Sequence, residues 1–173
     1  MNHGRHPQNG RWLFSAFMSS LPRNFAPPTL PSPQFIVFVA CDATNIDDEY
    51  LQAFARSALN SGAVYLCAWG PDCQRIENAF DHLVETGQAG PSNLLTTSHS
   101  KETLESAMWF AMSCAWPPKA LPSGGFSERD ELCDSVVFLS VNGGDWDAVI
   151  HQGLADPEWL WHIVQTHDGE EPR

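Results

Sequence analysis

Phe35-Ile36-Val37-Phe38-Val39-Ala40, ending at Cys41-Asp42, is the stretch whose reading decides the fold of this chain. The run is continuously apolar, as expected for a strand covered on both faces. Three further runs end in polar residues in the same way. They are Val64-Tyr65-Leu66-Cys67-Ala68 at Trp69-Gly70, Leu94-Leu95-Thr96-Thr97 at Ser98-His99, and Val136 to Val141 at Asn142-Gly143-Gly144-Asp145. Each is followed by an amphipathic helical stripe, and strands alternating with helices imply a parallel sheet. Ligands of such sheets bind outside the carboxyl ends of the strands, where these polar clusters fall.

The helical stripes repeat one spacing. Leu51, Phe54, Ala55, Ala58 and Leu59 stand at i, i+3, i+4, i+7 and i+8, which is one face of a helix. That helix opens near Asp47-Asp48 and closes at Gly62. Ile76, Ala79, Phe80, Leu83 and Val84 repeat the pattern, with Pro71 expected at the first position and Gly87 past the end. Leu104, Ala107, Met108, Ala111 and Met112 do so after Ser100, the expected N-cap. Trp146, Val149, Ile150, Gly153 and Leu154 follow Asp145, and a last short helix takes Asp156 as cap and Pro157 as first residue. The third stripe is apolar on every side and carries Trp109 and Phe110, so it requires cover on two faces. The last helix or the N-terminal tail is the expected cover; a protein partner or second copy is the alternative.

The expected architecture is therefore an α/β three-layer sandwich of about four mainly parallel strands with helices on both faces. Thr96-Thr97 makes the third strand an edge, which gives the order 3-2-1-4, with 2-1-3-4 as the alternative. Under 3-2-1-4, Asp42 faces Asn142-Gly143-Gly144-Asp145 across a crevice, and His99 lies two strands from Asp42, roughly 10 Å away. Under 2-1-3-4, His99 and Asp42 are neighbours. Prolines at 22, 27, 28, 31 and 33 mark residues 1–33 as a largely disordered tail. One domain spans 34–166, with Pro117-Pro118 to about Asp134 as a loop and 167–173 frayed.

At 173 residues the chain suits a single core. Its net charge of -12 and its two lysines, Lys101 and Lys119, exclude a cationic stripe, so neither nucleic acid nor anionic membrane is an expected partner. Five cysteines without a C-x-x-C pair fit a reducing cytoplasm better than a disulfide framework. No run reaches the length of a membrane span. Arg5 and Arg11 before Trp12–Met18 imitate a signal peptide, but no cleavage site follows.

The motifs exclude more than they assign. The first turn, Cys41-Asp42-Ala43-Thr44-Asn45, lacks the glycines of a dinucleotide fingerprint, and no phosphate-loop lysine motif is present. Asp42-Ala43-Thr44 lacks the second aspartate of a phosphatase-like D-x-D-x-T pattern. Asn142, Gly143 and Gly144 suit a ligand loop, but the favoured reading is a tight turn at Gly143-Gly144 with Asp145 capping the helix. Cys41 is a candidate nucleophile with His99 as base and Asp42 as its partner, whereas Cys73 falls on a buried stripe. His99 at a strand end suits a proton carrier, or a loop histidine held by a neighbouring strand. Trp69, Asp72 and Thr97 complete the candidate ligand-binding set, and Trp109 and Phe110 the partner-binding one; no metal ligand set and no cofactor is assigned.

Three segments together resemble a known family: Ala63 to Cys73 with Trp69-Gly70-Pro71-Asp72-Cys73, Leu95-Thr96-Thr97-Ser98-His99, and Leu104 to Phe110 with Cys114-Ala115-Trp116-Pro117. They are similar to small bacterial proteins known only as a domain of unknown function. Where the family pattern has tryptophan before the histidine, this chain has Ser98. The resemblance covers about Phe35 to Val141, implies one α/β domain, and implies no activity.

Two classes of function remain. The first expectation is a non-catalytic interaction or regulatory module using the apolar third helix. The alternative is a small-molecule-binding protein or hydrolase-like enzyme with its site at the strand ends. His99 beside Asp42 in an open cleft favours the second; an uncovered Trp109–Phe110 face favours the first.

Overall fold

Along β3 (Phe35–Cys41) every residue is buried, and the strand lies inside a six-stranded sheet. The computed structural model describes residues 1–90, 94–117, 119–120, 126–127 and 133–168. In chain order these form β1 (Asn2–Arg5), β2 (Trp12–Met18), β3, α1 (Asp48–Asn60), β4 (Ala63–Trp69), α2 (Gln74–Glu85), β5 (Leu95–Ser98) and α3 (Leu104–Ser113). Then come the two-residue pair β6 (Lys119–Ala120) and β7 (Phe126–Ser127), followed by β8 (Ser135–Val141), α4 (Asp145–Ala155) and α5 (Pro157–Asp168). The large sheet runs β1-β2-β8-β3-β4-β5 and is parallel except for the β1–β2 pair.

The fold is α/β with helices on both faces, but the expected strand count and order are corrected: six strands, not four. The four expected runs keep the neighbours β8-β3-β4-β5, and two strands from the presumed tail are added beyond β8. Trp12 to Met18 pairs residue for residue with Ser135 to Val141. Its run of aromatic and aliphatic side chains is strand material. The prolines lie after it, in the crossover from β2 to β3, whose Leu21 and Phe25 are buried in the core.

Side chains alternate across the sheet as the pleat requires. Val37 and Val39 of β3 and Val137 and Leu139 of β8 pack with α1 and α2; Ile36, Phe38, Val136 and Phe138 pack with α3, α4 and α5. Phe38 and Phe138 are register partners, their rings 5.0 Å apart. α5 covers α3: Trp109 stacks on Trp161 at 5.0 Å, and Leu160 is fully buried. The seven tryptophans are all half-buried.

Three helix starts differ from expectation. α3 is capped by Thr103, whose side chain accepts from Ser106 N–H, rather than by Ser100. α2 begins at Gln74, because Gly70 to Cys73 form a separate turn. α4 follows Gly144 with no side-chain cap, so Asp145 is its first residue. Asp156 does cap α5, accepting from Trp159 N–H at 3.0 Å. The loop expected over 117–134 and the end expected to fray lie partly outside the described residues.

Candidate functional site

Two cavities open at the carboxyl ends of the strands, on either side of a ridge built by β3 and β4. Gly70, at φ +115°, lies against the β3 end: a Cβ there would come 2.5 Å from the Cys41 carbonyl oxygen. Beyond it Ala43 N–H donates to Pro71 C=O at 2.9 Å, which ties the two loops together. On the β8 side of the ridge is a crevice of about 370 Å³. Cys41, Asp42 and Asn142 contribute to its wall, together with Ser19 and Ser20 after β2 and Asn45, Asp47 and Tyr50 at the start of α1. It stands between the ends of β3 and β8, where the succession of strands reverses: β3, β4 and β5 run one way and β8 lies on the other side.

The crevice wall is held from outside. Asp42 is exposed; hydrogen bonding from the Thr44 side chain, and then from Thr44 N–H, which donates to Oδ1 at 3.0 Å, holds its carboxyl below the ordinary carboxylate value. Arg75 of α2 reaches across to the β3–α1 loop. It donates to Ala43 C=O at 2.5 Å, Thr44 C=O at 3.3 Å and Ile46 C=O at 2.6 Å, and pairs with Asp48 at 2.6 Å. Cys41 is buried, and burial, with Asp42 adjacent, pushes its thiol up to about 12. A thiol so disposed stays protonated at neutral pH and is a poor nucleophile.

On the far side of the ridge, an open hollow of about 390 Å³ is lined by Trp69, Asp72, His99, Glu102 and Trp146 with the turn at Gly70. His99 is buried and both ring nitrogens are engaged: Nδ1 lies 2.9 Å from Glu102 Oε2 and Nε2 3.1 Å from Thr97 Oγ1. Thr97 Oγ1 also donates to Leu66 C=O at 3.3 Å, so that hydroxyl is spent inside the sheet. β4 stands between β3 and β5, so the structure does not pair His99 with Asp42; Glu102 takes the acid's place. Cys41, Asp42 and His99 are therefore not gathered into one site.

Asn142, Gly143 and Gly144 line a shallower hollow with Phe17 and Asp147. Asn142 and Gly144 both take φ +52°, a region open to glycine and tolerated by asparagine. A Cβ on Gly143 would meet Ser140 Oγ at 2.2 Å and Asp147 Oδ1 at 2.5 Å. Packing at Gly143 and backbone conformation at Asn142 and Gly144 account for this sequence as a turn. Trp109 and Phe110 face their own chain, Trp109 on Trp161 and Phe110 between Tyr65 at 6.4 Å and His99 at 4.9 Å. Among the described residues, no three His, Cys, Asp or Glu side chains converge as metal ligands, and no helix is long and apolar enough to cross a membrane.

A family model described as Domain of unknown function (DUF7684) matches residues 17–157. The chain belongs to the DUF7684 family. No curated protein and no solved structure matches it. The span matched to DUF7684 begins inside β2 and ends at the first residue of α5, so it contains both cavities and leaves β1 outside.

Several site residues escaped the sequence reading. Glu102 stands three residues after His99, a spacing that was legible but needed the β5–α3 turn to matter. Ser19, Ser20 and Tyr50 were not legible, because the first two follow a strand that was read as tail. Arg75 acts on a loop 27 to 32 positions earlier in the chain, and no local pattern announces that.

Proposed function

We infer that this domain binds a small polar molecule without negative charge in the crevice between the ends of β3 and β8. The supporting observation is the position of that cavity of about 370 Å³ at the reversal of strand order, the place where open α/β sheets bind ligands. Its walls offer serine hydroxyls, asparagine amides, the Tyr50 phenol and the carboxylates of Asp42 and Asp47, and among the described residues its lining includes no Lys, Arg or His. Arg23, stacked 4.4 Å from the Tyr50 ring centroid, is not part of the lining. That chemistry suits polyhydroxylated or amine-bearing ligands and opposes phosphates. The separation of Cys41, Asp42 and His99 favours binding over catalysis. The interaction module on the third helix is the less supported reading, because α5 covers Trp109.

The reading is tested by thermal shift with the full chain. One set of compounds holds monosaccharides, nucleosides, amino-acid amides and polyamines; the other holds inorganic phosphate and nucleoside triphosphates. A ligand at a hundredfold excess over Kd adds about 2.7 kcal/mol, or roughly 5–10 °C. A hit from the first set is expected, and it is expected to vanish in Asp42→Asn with Asn142→Gly, glycine being at ease at φ +52°. Stabilisation by the anionic set alone, or a hit that survives both substitutions, contradicts it.

A further inference from the structure

The cavity beyond the ridge has a chemistry of its own. Trp69 and Trp146 stand at right angles (85°) with ring centroids 5.0 Å apart, so two indoles from β4 and α4 form an aromatic corner. Trp69 is fixed there without a ligand, its Nε1–H donating to Glu102 C=O at 2.9 Å. The Glu102 carboxylate is held in turn by His99 at 2.9 Å. Asp72 also lines the cavity, in a left-handed conformation at φ +53°. Lys101, next in sequence to Glu102, is not among the lining residues. Indole faces attract cations through their quadrupoles, tryptophan most strongly, and two carboxylates at the same opening add a Coulombic term of the same sign.

We propose that this cavity is a second ligand site, which takes a small organic cation bearing an alkylated ammonium group beside the touching Trp69 and Trp146 rings that line it, with Asp72 and Glu102 as counter-charges. It shares no lining residue with the crevice between β3 and β8, so the two sites stand or fall separately. The aromatic corner supplies shape and the carboxylates supply sign. A neutral molecule of the same outline keeps only the first.

Isothermal titration of the full chain with choline, and with its uncharged isostere 3,3-dimethyl-1-butanol, separates these contributions. Choline is expected to bind saturably and at least tenfold tighter than the isostere, a factor worth about 1.4 kcal/mol. Trp146→Ala is expected to weaken choline at least tenfold, and Trp146→Phe less. Asp72→Asn, which keeps a residue type at ease with positive φ, is expected to weaken it severalfold and serves if Trp146→Ala does not fold. Gln165→Ala, exposed on α5 and outside both cavities, is expected to leave choline binding unchanged. No saturable binding of choline, equal binding of the isostere, or parent-like binding in both Trp146→Phe and Asp72→Asn overturns the proposal.

Discussion

Gly143 is packed on both flanks, by Ser140 Oγ and by the Asp147 carboxylate, at distances that leave no room for a methyl group. Gly143→Ala must displace both of these side-chain ends, and Ser140 is buried in β8. The substitution is expected to cost about 1–3 kcal/mol, read as a lower midpoint in urea at unchanged slope. A parent-like midpoint contradicts the packing argument and reopens the ligand-loop reading of this turn. Arg11 is the other residue whose role no local pattern could show. It is buried, stacks 3.4 Å from the Trp116 ring centroid, and donates to the carbonyls of Ala111, Met112 and Ala115 at 3.4, 3.2 and 2.6 Å. Those carbonyls belong to the carboxyl end of α3 and its exit, where helix acceptors lack intrahelical partners and a cation is favoured. Arg11→Met keeps the stem but strands the Ala111 and Ala115 acceptors, while Met112 C=O keeps its bond from Asn9 Nδ2 at 2.8 Å, and is expected to cost about 3 kcal/mol in the same measurement, with faster amide exchange confined to residues 108–116.

At the scale of elements, the regular strands and stripes were legible because burial on both faces writes a continuous apolar run, as in β3 and β8, and amphipathic packing writes a 3.6-residue repeat, as in α1. β2 was not legible as a strand. Its partner Ser135–Val141 is over a hundred residues away, and the prolines that follow it marked all of residues 1–33 as a tail. Thr103 displaced Ser100 as cap because the turn after β5 runs three residues further to seat Glu102 beside His99. The β1 edge carries a pH dependence of its own. His3 is held below its ordinary value of 6.5 chiefly by burial, then by His151 and the amino terminus; burial and then Arg11 do the same to His6. The unfolded chain then takes up protons at a higher pH than the folded one, so stability is full above pH 6.5 and falls as the pH drops below it. Protonation also removes the ring acceptor that His6 Nδ1 offers to Gln8 N–H. Thermal midpoints between pH 8 and pH 5.5 are expected to fall less steeply in His3→Gln with His6→Asn than in the parent. An identical slope contradicts the assignment.

For the whole molecule, the sequence located the strand-end rim but not its division. Asp42 and Asn142 were placed across a crevice, and they are; Trp69, Asp72 and His99 were placed with them, and a ridge from Cys41 to Pro71 separates the two groups. Side-chain type and strand end can be read from one chain, whereas the contact between loops 30 residues apart depends on Gly70 approaching β3. The third helix was correctly read as needing cover, which the α5 tryptophan supplies from within. The account's central claim is a polar ligand at the reversal of strand order. It is tested most directly by mapping amide chemical shifts of the full, isotope-labelled chain against a library of neutral and cationic polar fragments. The account predicts saturable shifts concentrated on Ser19, Ser20, Asp42, Asn45 and Asn142. Shifts that fall on α3 and α5 instead, or no saturable shift around Asp42 and Asn142 with any fragment, would contradict it.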